Sequence, residues 1–390
     1  MIVLLFSLIL GALSAFSLKL IQDPILTSIF GGLAIMSSGY ILSVAVESAQ
    51  KDVSRSLATI VLALLAVLPE YAVDIYLAYK GAQDPTYIHY ASANMTGANR
   101  LLLGTFWPII VFVAVFLSKG KDVIGRSVIF KPTLRLEIFF LFIVTLYSFK
   151  IPIMGYISIL DSIILISIFL FYAYVSAKSP EREEEFEGVA EVIVKLRKSV
   201  RIPIVIFLFA FAGFVIFLSV KPFVHGLIET GKMLGISEFL LIQWVAPFAS
   251  EMPELVASIM LALKGKSSVA LGALISSKVN QWSLLVGMLP LAYSFGLLRF
   301  SDMPLDMIQR EEIFLTAAQS LFGTIIIADL KLSVWEGLWL FSMFFAQFLI
   351  PIPEIRFALA ILYLIFSIIL LVLRRAGLWQ ILQFARNIFE

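Results

Sequence analysis

The chain of 390 residues is 61% hydrophobic and only 14% charged, with a mean hydropathy of +1.00 and a formal net charge of +2. That composition excludes an ordinary water-soluble domain, and the scatter of basic residues among the loops excludes the single basic stripe of a nucleic-acid-binding protein. The absence of cysteine excludes disulfides, thiolate nucleophiles and Cys-based metal sites.

Apolar runs of about 18 or more residues recur along the sequence, each long enough to cross a hydrocarbon core of roughly 30 Å as a helix. Strands of a membrane barrel would alternate apolar and polar side chains, whereas the stretch from Ile202 to Val220 is apolar on all sides. The predicted fold class is therefore an all-α integral membrane protein. In chain order, about twelve spans are predicted, near 2–20, 25–47, 55–79, 88–117, 134–149, 153–177, 202–230, 236–263, 267–297, 310–329, 333–350 and 354–373. The first stretch has the apolar run of a signal peptide but neither a basic segment before it nor a cleavage site ahead of Asp23, so it is read as a retained helix. The span at 134–149 is short, and the segment 221–235, with Lys221, Pro222, His225 and Glu229, reads either as part of a span or as an interfacial stretch.

Charge sets the expected orientation. Nineteen Lys and Arg residues fall on the side shared by both termini and eight on the other, which places the termini and the polar segment 178–201 in the cytoplasm, with the cell membrane as the expected location. That segment divides the chain almost into halves and is read as a linker. Its acids, Glu181, Glu183, Glu184, Glu185 and Glu187, fit either a regulatory cation site or a solvated face.

The two halves match each other. Leu68-Pro-Glu-Tyr-Ala-Val-Asp-Ile-Tyr-Leu-Ala-Tyr-Lys-Gly81 aligns without a gap on Met252-Pro-Glu-Leu-Val-Ala-Ser-Ile-Met-Leu-Ala-Leu-Lys-Gly265, sharing Pro-Glu, Ile, Leu-Ala and Lys-Gly. Glu70 falls in the third predicted span and Glu254 in the eighth, so the two helices are expected to run in opposite directions. The expected organisation is an extra helix at 1–24, a first five-helix repeat at 25–177, the linker at 178–201, a second, inverted repeat at 202–351 and a C-terminal helix with a tail at 352–390.

Each glutamate lies about ten residues from the lysine of its Lys-Gly pair, roughly 15 Å of helix and hence near the bilayer midplane. A charge at that depth costs at least about 2.5–3.5 kcal/mol and is retained where it faces a cavity or a partner. The preceding proline removes one backbone N–H and leaves a carbonyl oxygen for other work. Carboxylates with loose carbonyls make a hard-oxygen site suited to Ca²⁺, Na⁺ or H⁺. Asp74, one turn after Glu70, and Glu251, three residues before Glu254, are further candidates, or else face headgroups or a cation. On the helix that follows each Pro-Glu helix stand Asn94, Thr96 and Asn99 in the first half and Ser276, Ser277, Lys278, Asn280 and Gln281 in the second, where close helix packing competes with ligation. Lys278 and Arg100 lie within spans, so they are also candidates to neutralise the acids.

These residues resemble the cation/Ca²⁺ exchanger superfamily of sodium/calcium and proton/calcium antiporters. In that family each half carries Gly-Thr-Ser-x-Pro-Glu followed by Gly-Ser-Asn on the next helix. Here Ala249-Ser-Glu-Met-Pro-Glu254 and Ser276-Ser-Lys278 look like these segments, and the likeness covers about residues 25–350. The resemblance implies that Glu70 and Glu254 bind the metal ion, that Ser250 and Ser277 supply hydroxyl ligands, that Gln281 falls at a carboxylate or amide ligand position, and that Asn94 approximates the first-half serine position. The departures are Ala66 and Val67 in place of Thr-Ser, Glu251 in place of Ser, and Lys278 in place of Asn. They remove oxygens that bind sodium in the family and make Lys278 a candidate internal cation.

The expected function is a secondary cation antiporter that exchanges Ca²⁺ or another divalent cation for Na⁺ or H⁺, with inorganic cations and the lipid bilayer as its partners and no cofactor beyond the transported ions. The alternative is a degenerate exchanger-like scaffold or regulator without transport. No His-Glu-x-x-His, Gly-x-Ser-x-Gly or Walker-type loop marks the chain as an enzyme. Oligomeric state is left open.

Overall fold

A computed structural model describes residues 1–53, 65, 67–118, 120–178, 188–350 and 352–389. The linker acids from Glu181 to Glu187, Ala66 and most of the N-terminal part of the third predicted span lie outside the described residues. The described chain is helical: eight helices are long and apolar enough to cross a membrane, and two shorter apolar helices, Ile2–Ser17 and Val334–Leu349, accompany them. It divides into two compact units, residues 1–77 with 173–254, and residues 78–172 with 255–390.

In the first unit, α1 (Ile2–Ser17) and α2 (Pro24–Ala49) precede the start of α3 (Leu68–Gly81). Asp23 caps α2 by accepting the N–H of Leu26 at 2.9 Å, and Pro24 fills the first helical position, where no N–H is needed. The unit continues with α9 (Gly188–Val194), α10 (Lys198–Leu234) and most of α11 (Glu238–Leu263). The segment 221–234 continues α10, which runs through Pro203 and Pro222 as one helix of 37 residues. At about 1.5 Å per residue that is roughly 55 Å, so its ends extend past the hydrocarbon.

Small residues let α2 and α10 approach closely. A methyl group on Gly31 would lie 2.7 Å from Phe223 Cβ, one on Gly226 would lie 2.9 Å from the backbone N of Ser28, and the Ser28 and Thr230 hydroxyls are hydrogen-bonded at 3.2 Å. Beyond the α2 terminus, Arg201 donates to both carboxylate oxygens of Asp52 at 2.6 and 2.7 Å and to the carbonyls of Val194 and Leu196 at 2.9 Å. These hydrogen bonds hold the Asp52 carboxyl below the ordinary carboxylate range and join the end of α2 to α9 and α10.

The second unit begins with the rest of α3 and then α4 (Thr86–Leu101), which continues through a π turn (Leu102–Phe106), α5 (Trp107–Phe112) and a second π stretch (Val113–Ser118). Next come β1 (Val123–Ile124), β2 (Ser127–Ile129), α6 (Arg135–Ser148), α7 (Lys150–Met154), β3 (Tyr156–Ile157) and most of α8 (Ile159–Lys178), whose last residues belong to the first unit. The short predicted span at 134–149 is part of an apolar helical stretch from Pro132 to Met154. After α11 follow α12 (Ser267–Asn280), a π turn (Gln281–Leu285), α13 (Val286–Leu297), β4 (Met303–Pro304), α14 (Met307–Ile326), β5 (Lys331–Ser333), α15 (Val334–Leu349), α16 (Pro353–Leu373) and α17 (Arg375–Phe389). The strands form an antiparallel β1-β2-β5 sheet, with Val128 opposite both Val123 and Leu332, and a β3-β4 pair. The tail expected after residue 373 is thus a helix. Arg374 ties its start to Asp329, Glu336 and the Ile326 carbonyl, and Arg135 donates to Gln380 at 3.2 Å.

The core of this unit holds a charge cluster. Glu312 on α14, with its side chain fully buried, pairs with both Arg100 on α4 and Arg356 on α16. Arg100 also donates to Gln347 of α15 at 3.3 Å, and its carbonyl accepts from Gln319 of α14 at 3.5 Å. Two guanidiniums and a carboxylate in this setting are tolerated because each finds a charged or amide partner.

Candidate functional site

The predicted ligands fall into two groups by unit. Glu70, Asp74, Ser250, Glu251 and Glu254 belong to the first; Asn94, Ser277, Lys278 and Gln281 belong to the second.

Within the first unit both Pro-Glu pairs approach one glycine. A methyl group on Gly39, in the middle of α2, would lie 2.7 Å from Pro253 Cγ and 3.6 Å from Pro69 Cγ. A proline ring is rigid and has no far end to swing aside, so only glycine allows this three-way contact. Glu70 is 3% exposed, Asp74 0% and Glu251 3%, while Glu254 is half-buried. Three buried carboxyl groups and the half-buried Glu254 thus share the unit in which Pro69 and Pro253 approach Gly39. The helix geometry follows from the sequence. Pro253 lies inside α11 and cannot donate to the carbonyl of Ala249, and Pro247 marks a second such break one and a half turns earlier. Ser250 sits between the breaks, and its hydroxyl donates back to the carbonyls of Ala246 and Pro247 at 3.2 Å, which leaves its oxygen as an acceptor.

In the second unit the residue after α12, Gln281, opens a π turn and is fully buried. Helix α4 also passes into a π turn, at Leu102. π-Turns interrupt the regular backbone ladder and concentrate at functional positions. Asn99 and Lys278 each stand three residues ahead of one of these turns. They meet: Lys278 Nζ donates to the Asn99 backbone carbonyl at 2.5 Å and to Asn99 Oδ1 at 2.9 Å, and it lies 5.7 Å from the Trp282 ring centroid. Asn94 is fully buried, and neither atom of its amide forms a hydrogen bond within the described protein. Ser277 is 7% exposed, whereas Ser276 shares a 2.6 Å hydrogen bond with the Tyr172 hydroxyl and Thr96 donates to the Ser92 carbonyl at 2.7 Å. His89 Nε2 lies 3.2 Å from the Asp306 carboxylate.

Sequence reasoning passed over the π turns and the Arg100–Glu312–Arg356 cluster. The turns have no local signature. Glu312 and Arg356 were open to discovery, since each lies a few residues inside an apolar span, where an ionised side chain requires a partner.

The family model described as sodium/calcium exchanger protein matches residues 24–178 and 204–352. Among solved structures, the crystal structure of the H⁺/Ca²⁺ exchanger CAX shares 41% sequence identity, covers 99% of this chain and 97% of its own, and superposes with a TM-score of 0.93. Native YfkE, at 16% identity, covers 91% of this chain and 97% of its own with a TM-score of 0.61. A sodium-soaked structure of the sodium-calcium exchanger NCX_Mj, at 18% identity, covers 88% of this chain and 99% of its own with a TM-score of 0.54. The last two show a shared fold. Among curated protein sequences, none matches this chain.

Proposed function

Because the chain belongs to the sodium/calcium exchanger family, we propose that it is a secondary antiporter that carries Ca²⁺ across the bilayer in exchange for H⁺, with Glu70 and Glu254 as the carboxylates that hold the ions in turn. The observation that carries this reading is the approach of Pro69 and Pro253 to Gly39, which gathers the two Pro-Glu segments in one unit around buried acids. Two carboxylates balance the double charge of Ca²⁺ and, once the metal leaves, are cheap to carry across the bilayer only if protonated. Exchange follows, because the empty, ionised site cannot cross at comparable cost. Protons are favoured over sodium as the counter-ion because hydroxyl positions of the family pattern are occupied here by Ala66, Val67 and Glu251. The 41% identical neighbour bears the name of an H⁺/Ca²⁺ exchanger.

The test is uptake of radiolabelled Ca²⁺ into proteoliposomes holding the purified chain, loaded with acid or with Na⁺. Uptake driven by the pH gradient and abolished when it is collapsed is the expected result. Uptake driven by Na⁺ alone would replace the counter-ion, and uptake under neither gradient would overturn the reading.

The same reading assigns the topology: twelve crossings, in two five-helix repeats of opposite direction with one further helix at each end, and both termini and the linker in the cytoplasm. The two matched stretches, 24–178 and 204–352, support the repeat, and the inversion rests on the five crossings predicted from the sequence between Glu70 and Glu254. The chain contains no cysteine, so single replacements can be probed without background. Lys80→Cys is expected to react with an impermeant maleimide from outside sealed cells and Lys264→Cys only after permeabilisation. Labelling of both from one side would remove the inversion.

A further inference from the structure

Lys278 is 1% exposed, and a buried ammonium must place its N–H groups on acceptors or lose its charge. Two of those acceptors are oxygens of a single residue, the backbone carbonyl and the side-chain Oδ1 of Asn99, at 2.5 and 2.9 Å. Both are neutral, hard oxygens of the kind that also ligates alkali cations. Their position is fixed from behind. The Asn99 amide nitrogen donates to the Met95 carbonyl at 3.0 Å, which orients Oδ1 toward Lys278. The next residue, Arg100, is pinned by Glu312 and Gln347, so α4 has little freedom to shift when the ammonium is removed. Trp282 carries the Lys278 charge on one ring face and is itself held by a 2.7 Å hydrogen bond from Nε1 to the Ser320 hydroxyl. Asn99 and Trp282 are therefore each supported by a second group, the mark of a preorganised cation site.

We propose that Lys278 is a tethered cation occupying a monovalent-cation subsite built by Asn99, and that its ammonium denies Na⁺ a place and so selects H⁺ as the counter-ion. This rests on the antiporter reading above. A purely structural lysine, stapling α12 to α4, would make the same hydrogen bonds but would not affect the response to Na⁺, and that difference is what the experiment reads.

The full chain in detergent, without Ca²⁺, is melted in NaCl and in choline chloride at equal ionic strength, as wild type and as Lys278→Met, Lys278→Gln and Lys278→Arg. Wild type and Lys278→Arg should melt alike in the two salts. The Met and Gln variants should melt about 2–4 °C higher in NaCl, and in vesicles they should gain Ca²⁺ uptake driven by a Na⁺ gradient. Wild type stabilised by Na⁺, or folded Met and Gln variants indifferent to it, would overturn the proposal. Failure of both neutral variants to fold would make Lys278 a staple and overturn it as well. Wild-type uptake on a pH gradient is scored in the same vesicles: its absence removes the antiporter reading, whereas its presence beside Na⁺-indifferent neutral variants removes only the tethered cation.

Discussion

Glu70→Gln and Glu254→Gln are each expected to lower Ca²⁺ exchange by about 100-fold while leaving the protein folded. The size follows from one lost charge. Holding Ca²⁺ with one carboxylate in place of two leaves a positive charge unbalanced in a low dielectric, and about 3 kcal/mol for such a charge corresponds to roughly two decades in binding. Glutamine has the shape of glutamate and keeps one acceptor oxygen, so packing around Pro69, Pro253 and Gly39 is undisturbed. The uptake assay and a melting curve together decide the matter. A variant that melts like wild type but does not transport supports a ligand role, and normal flux in both variants would exclude the two-glutamate site. Asp74→Asn and Glu251→Gln serve as comparisons, because both acids are as buried as Glu70. If either abolishes exchange as completely, the ligand set is larger than the two Pro-Glu pairs.

Much of this architecture was legible in the sequence because lipid is a strict solvent. Every backbone polar group in the hydrocarbon must be satisfied within the segment, so spanning segments announce themselves as long apolar runs. The predicted spans at 25–47, 202–230 and 236–263 accordingly overlie the helices Pro24–Ala49, Lys198–Leu234 and Glu238–Leu263. The Pro-Glu pairs were legible for the complementary reason: a carboxylate inside such a run is too costly to be incidental. What stayed hidden is whatever depends on contact between distant segments. Gly39 carries no sequence signal that distinguishes it from Gly31 or Gly32, yet it is the one against which the two prolines pack. The strands of two or three residues are too short to show alternation, and they form only because loops far apart in sequence, such as 127–129 and 331–333, come side by side. The helix after residue 373 was read only as a tail, since it lies past the last apolar run long enough to span the bilayer. Lys278 and Arg100 were visible as charges in spans, but whether they would neutralise the acids or hold something else was not. The structure shows Lys278 hydrogen-bonded to Asn99 and Arg100 paired with Glu312, contacts that only the folded chain reveals.

The cluster around Glu312 yields the largest expected effect on stability. Glu312→Gln should destabilise the chain by about 3–5 kcal/mol, since it strips a buried carboxylate from two guanidiniums that remain inside the core. The loss should appear as a melting temperature lower by roughly 10 °C. The cost arises from the charges left behind, not from a missing contact, and the rescue is therefore specific. Replacing all three members, as Arg100→Met, Glu312→Met and Arg356→Met together, removes every stranded charge and fills a similar volume, so the triple variant should recover most of the loss. A triple variant as unstable as Glu312→Gln would mean that the cluster acts through geometry and not charge. The recovered variant then becomes a probe of the neighbouring residue. With Arg100 no longer anchored to Glu312 and Gln347, the Asn99 oxygens lose the support that fixes them before Lys278. A protein that is stable yet slower in exchange would place the purpose of the cluster in holding α4 in position, whereas unchanged exchange would confine it to stability.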